Sequence, residues 1–142
     1  MSEAMNLVAP AVSILPGDER DHAFVYATWL QSYRKLSDFA KPIAREVYFP
    51  AQHDRIERLL RIGRLHVAVP EGSSGMHTIL GYCVTDGALL HWVYVKGNWR
   101  QMGIAGKLLE GRGLQQFTHW TYDFDHMARR LANLKYNPYA AG

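Results

Sequence analysis

The sequence predicts an α+β domain with a mixed, mainly antiparallel central sheet flanked by helices. Three observations predict it. Apolar residues recur at helical spacing in two early stretches, about 19–36 and 50–62. Strand-like runs then follow one another at 65–69, 78–85 and 88–95. The last of these leads through a loop carrying Arg and Gly into a helix-like run, Ile104 to Leu109. A chain of 142 residues is long enough for one domain with a single packed core.

In chain order, residues 1–10 read as a loosely held leader and residues 11–142 as the domain. Val12 to Leu15 is a first strand, stopped by Pro16-Gly17. Asp18 is a good N-cap, and Ala23, Tyr26, Ala27, Leu30 and Tyr33 place one face of a helix from about Glu19 to Leu36. Lys41-Pro42 breaks that pattern. A second helix is expected from about Pro50 to Ile62, with Ile56, Leu59 and Leu60 inward and Gly63 as its stop. Leu65, Val67 and Val69 alternate and end at Pro70; Gly72 to Gly75 is a turn, and Thr78 to Thr85 is rich in strand formers. Asp86-Gly87 is a two-residue hairpin signal leading directly into Ala88 to Val95. Phe117 to Thr121 is a candidate fifth strand, Asp123 to Leu134 a last helix, and Lys135 to Tyr139 a short extended close.

Composition narrows the function classes. Apolar residues make up 48% and charged residues 20%, which fits a globular chain and not a disordered one. No stretch approaches the length of a membrane span, and the single cysteine, Cys83, excludes an internal disulfide, so a reducing cytoplasm is expected. The formal charge of +3 suits a protein that binds a polyanion without arguing for nucleic acid. The seven histidines show no metal-ligand spacing and have no cysteine partners, so no metal is expected.

The most informative residues are Val95 to Ala105, Val-Lys-Gly-Asn-Trp-Arg-Gln-Met-Gly-Ile-Ala. A strand, a Gly-containing loop and a helix start can hold a pyrophosphate, because the first free amides of the helix point outward and its dipole adds positive potential. A helix start in which Gly103 serves only close packing is the competing reading. It is not a Walker loop, since no GKS or GKT follows, and not a dinucleotide fingerprint, since the three-glycine spacing is missing.

The Arg100-x-x-Gly103-x-Ala105 spacing resembles the (Gln/Arg)-x-x-Gly-x-(Gly/Ala) signature of the GCN5-related N-acetyltransferase (GNAT) superfamily. Val95, Trp99, Leu108 and Leu109 also match that family's pattern, whereas Gly97 stands where the family often has Pro. The resemblance of element order covers about Val12 to Leu134, and the recognisable motif only Val95 to Leu109. It implies a GNAT-like sheet with a shortened C-terminal end, because the family usually finishes with two further strands and there is room here for one. Either the sheet stops short or a partner chain covers its edge, as in a homodimer.

The resemblance further implies an acetyl-CoA-dependent N-acetyltransferase, with acetyl-CoA as cosubstrate and a primary amine as acceptor. Arg100, Gln101, Met102, Gly103, Ile104, Ala105 and Gly106 would grip the pyrophosphate. Val93, Tyr94 and Val95 would carry the pantetheine arm, with the following strand splayed away. The family's usual carboxylate base on that strand is missing between Ala88 and Val95. His91 is the candidate base, and it is expected on the same face as Val93 and Val95; Asp86 is a weaker alternative. The family's helix tyrosine falls on Ala132, so Tyr136 is the candidate acid, with Tyr122 beside it. Tyr33, Tyr48 and His53 are candidates for lining the acceptor groove.

Two other readings stand beside this one. Trp29-x-x-Ser32-Tyr33 and the terminal Asn137-Pro138-Tyr139 resemble small acetyltransferase-like proteins of bacteriophages, some relatives of which modify DNA bases. Arg34, Lys35, Lys41, Arg45, Arg55, Arg58 and Arg61 offer only a diffuse basic surface, so nucleic acid is not favoured as partner. A non-catalytic module that binds CoA or a protein partner is the third reading.

Overall fold

The computed structural model describes residues 11–73, 78–100, 102–131 and 133–141; the expected leader and the far half of the turn expected at 72–75 lie outside these. The chain opens with β1 (Val12–Pro16) and a 3-10 turn (Glu19–Asp21) that runs into α1 (His22–Leu36). Asp18 caps this start: its side chain accepts from Arg20 N at 2.9 Å, and Asp21 Oδ2 accepts from Asp18 N at 3.0 Å.

The second helix, α2 (Arg45–Ile62), begins five residues before the expected start at Pro50. Proline cannot donate within a helix, but packing holds this first turn in place despite it. Tyr48 is buried and donates to Leu30 O at 2.7 Å, and the Arg45 guanidinium lies 4.8 Å from the Phe49 ring centre. Gly63 ends α2 as expected, with extended backbone. A Cβ there would lie 2.6 Å from Thr85 O, so glycine is required for close approach.

The sheet continues with β2 (Arg64–Pro70), β3 (Gly81–Asp86) and β4 (Leu89–Val95). The β1–β2, β2–β3 and β3–β4 pairings are all antiparallel. The hairpin turn falls on Gly87-Ala88, one residue later than expected. Only Gly87 has positive φ, at +58°, which is the sign pattern of a type II′ turn. After a 3-10 turn (Gly97–Trp99) comes the short helix α3 (Ile104–Leu109). Then follow β5 (Gln116–Phe117), α4 (Tyr122–Leu131), β6 (Lys135–Tyr136) and a closing 3-10 turn (Pro138–Ala141). The six strands lie in sequence order, and β5 and β6 join in parallel.

The fifth strand is therefore shorter than the expected 117–121. Thr118 and His119 leave the sheet for buried polar contacts, and Thr121 Oγ1 caps α4 by accepting from Phe124 N at 3.0 Å. The chain end carries one further strand, β6, as the shortened end implies.

The two sheet faces bury different helices. Against α1, Trp29 stacks on Trp92 with ring centres 5.6 Å apart, and the Tyr82 hydroxyl meets Thr28 Oγ1 at 2.8 Å. Full burial of side chains of this size contributes roughly 1.5–3 kcal/mol each. On the opposite face α3 lies across β1 to β4, with Ile104 and Leu108 buried. Cys83 points there, its Sγ 3.8 Å from Leu108 O, and burial pushes its thiol up to about 11, as suits a small core residue.

One irregularity decides how β4 is used. Val84 pairs with Trp92 but Thr85 pairs with Leu90, so His91 is an extra residue, a β-bulge. The pairing of β5 with β4 covers only Leu89 and Leu90 and stops where this bulge begins. A bulge bends and twists its strand, so the short parallel neighbour does not follow.

Candidate functional site

Beyond Leu90 the two strands part, and a cleft of about 800 Å³ occupies the gap. One wall is β4 itself, with Trp92, Val93, Tyr94 and Val95. The Lys96 N–H bonds Leu80 O at 2.9 Å, which turns the backbone groups of Lys96, Tyr94 and Trp92 toward β3. Those of Val93 and Val95 consequently face the gap. An open strand edge of this kind is a row of donors and acceptors ready for an extended ligand.

The far end of the cleft is the start of α3, where Arg100, Gly103, Ile104, Ala105 and Gly106 line it beside Trp99. Gly103 is the N-cap with φ +82°, left-handed backbone that a β-carbon disfavours, and no side chain caps the helix. Arg100 is exposed, and its Nε donates to Val95 O at 3.0 Å. That bond fixes a cation between the end of β4 and the beginning of α3. The remaining walls come from α1, with Ser32 and Leu36, and from the start of α4, with Thr121, Asp123, Phe124, His126 and Met127.

Eight of the ten residues expected to hold the cosubstrate thus surround one cleft. Of the other two, Met102 is not in its lining and Gln101 lies outside the described residues.

The expected proton-handling residues lie elsewhere. His91 does not share a face with Val93 and Val95, because the bulge breaks the strand's alternation and turns the ring inward. It is 1% exposed, and its Nδ1 lies 2.9 Å from Thr118 Oγ1. Thr118 Oγ1 in turn lies 3.0 Å from His119 Nδ1, and His119 Nε2 lies 3.1 Å from Gln52 Nε2. Burial lowers the His91 pKa to about 4; it also holds fully buried His119 well below the ordinary histidine value. Tyr136 sits on β6 with its ring 5.4 Å from that of Phe117, and neither it nor His91 lines the cleft.

The expected acceptor-groove residues are likewise placed in packing roles. Tyr33 is buried against Trp92 and His119, and burial raises its pKa. Tyr48 braces α1, as described above. His53 stacks on Tyr26 at 4.2 Å. The basic surface is partly spent on packing too, since Arg34 donates to Ile43 O at 2.9 Å and Arg55 to Pro138 O at 3.4 Å.

Sequence reasoning missed the α4 wall. Its one available signal was the Asp123, His126, Met127 spacing, which places the three on one side of a helix. Among the described residues, no group of three or more His, Cys, Asp or Glu side chains could hold a metal ion, and no helix is long and apolar enough to cross a membrane.

No family model and no curated protein matches the chain. Solved structures do. A Pyrococcus furiosus protein described as an acetyl transferase superposes with a TM-score of 0.54 at 21% identity, over 75% of this chain and 80% of that one. The ribosomal-protein-alanine N-acetyltransferase of Brucella melitensis biovar Abortus 2308 gives a TM-score of 0.53 at 19% identity, over 88% of this chain and 90% of that one. The chain has the acetyltransferase fold of these neighbours, the one implied by its resemblance to the GNAT superfamily.

Proposed function

We propose that this chain is an acetyl-CoA-dependent N-acetyltransferase that acetylates a primary amine by direct attack in a ternary complex. The observation that carries the reading is a single cleft joining the open backbone edge of β4 to the Gly103-led start of α3. The two features suit the two halves of the cosubstrate. The amide-bearing pantetheine arm can bond as an extra strand to the backbone of Val93 and Val95. Its diphosphate then meets the amides of 103–106 and the Arg100 guanidinium, where charge-assisted bonds are strong.

The chemistry asks little more of the protein. The thioester must be held beside a neutral amine, the oxyanion must find a donor, and water must be kept away. Alignment alone supplies much of the acceleration. The acceptor would enter between α1 and α4, past Ser32, Leu36, Thr121 and Asp123, which also line the cleft.

Calorimetric titration with acetyl-CoA tests the reading first, followed by thiol release in the presence of spermidine, kanamycin or a lysine peptide. Arg100→Ala should weaken acetyl-CoA binding by about tenfold or more, since hydrogen bonds to charged groups are worth roughly 1.5–3 kcal/mol. Tight binding without thiol release on any amine would instead favour a non-catalytic CoA-binding module. Failure to bind acetyl-CoA would refute both.

A further inference from the structure

We propose that His126 on α4 is the catalytic proton carrier of this cleft, with Asp123 as its positioning partner. The inference rests on the acetyltransferase reading above. Amide formation releases a proton from nitrogen and leaves a thiolate that takes one up, and a titratable group on the cleft wall can serve both atoms. Among the described lining residues the ionisable side chains are Tyr94 from β4, Arg100 from the turn before α3, and Asp123 and His126 from α4. The lining residues of α1, Ser32 and Leu36, carry no charge. Of these residue types only an imidazole ordinarily changes charge between pH 5 and 8. The histidine and tyrosine expected for this work, His91 and Tyr136, are absent from the cleft wall.

Asp123 precedes His126 by three residues on α4, so the two side chains are neighbours on one helix face. At this spacing a side-chain rotation can bring the carboxylate against the imidazole, where it would orient the ring for proton transfer. Both residues are exposed to solvent from the cleft, so the ring can exchange its proton between turnovers.

The step balances without another reagent. The neutral amine attacks the thioester carbonyl, forming the C–N bond and a tetrahedral intermediate that is cationic at nitrogen and anionic at oxygen. His126 takes the proton from nitrogen. The oxyanion then re-forms the carbonyl as the C–S bond breaks, with its electron pair leaving on sulfur. The imidazolium returns the proton to the thiolate, giving amide, free thiol and neutral His126.

The test compares wild-type protein with His126→Gln and Asp123→Asn, using acetyl-CoA with spermidine, kanamycin and a lysine peptide. In His126→Gln, kcat should fall about 100-fold or more. Acetyl-CoA affinity should stay within about threefold, because the groups proposed to hold the cosubstrate are the backbone of Val93 and Val95, the Arg100 guanidinium and the amides of 103–106, not the His126 ring. The limb of the kcat profile between pH 5 and 8 should vanish in this variant. In Asp123→Asn kcat should fall several-fold with acetyl-CoA affinity unchanged, a split between turnover and binding that a merely structural role would not produce. Wild-type turnover with an unchanged rate and limb in His126→Gln would overturn the assignment of His126 alone. Absence of wild-type thiol release with every amine would overturn it together with the acetyltransferase reading.

Discussion

His91 makes acid a specific threat to this fold. The ring is enclosed, bonded to Thr118 and displaced to a pKa of about 4, whereas in the unfolded chain it returns to the ordinary histidine value of about 6.5. The unfolded state therefore binds the proton first as pH falls. The stability contributed by keeping His91 neutral is fully present above about 6.5 and is lost between there and about 4. At about 1.4 kcal/mol per pKa unit, the loss amounts to roughly 3 kcal/mol. His119 is depressed in the same direction by burial and adds to the slope. In a His91→Gln variant the amide keeps a polar contact to Thr118 without a titrating group. Urea unfolding at pH 7, 6, 5 and 4 should show wild type losing roughly 3 kcal/mol more than the variant across this range. Equal slopes would refute the reasoning, showing either that His91 takes its proton in the folded state or that the bulge does not enclose it.

Two further outcomes concern packing. Trp29→Ala removes a fully buried ring stacked on Trp92 and should cost about 3–5 kcal/mol in chemical denaturation, with loss of the near-ultraviolet dichroism of the tryptophan pair. Gly63→Ala sets a methyl group 2.6 Å from the backbone oxygen of Thr85 and should destabilise by about 1–3 kcal/mol; a variant as stable as wild type would show that α2 and β3 can separate freely.

Local chemistry made much of this fold legible. The period-two runs, Gly87 and the capped start at Asp18 identify β2 to β4 and α1, because each depends on residues close in sequence. The Arg100 to Gly106 turn is legible for the same reason, and most of it lines the cleft. Longer-range effects were not. Whether His91 continues the alternation of β4 depends on its register against Val84 and Thr85, which no local pattern announces. The early start of α2 depends on Tyr48 reaching Leu30 across to another helix. Asp123 and His126 read as ordinary residues of a polar helix until the parting of β4 and β5 shows which side of α4 faces a void.

The single inserted residue at His91 also constrains how this protein can change. It shifts the phase of β4, so that Trp92 meets Trp29 while the chain just before it still pairs with β5. Deleting one residue there would restore regular alternation, rotate the upstream half of the strand by a side and let the neighbouring strand close up alongside. The packing of the hydrophobic interior and the opening of the cleft therefore depend on the same peptide unit, so a change in the length of that strand disturbs both at once.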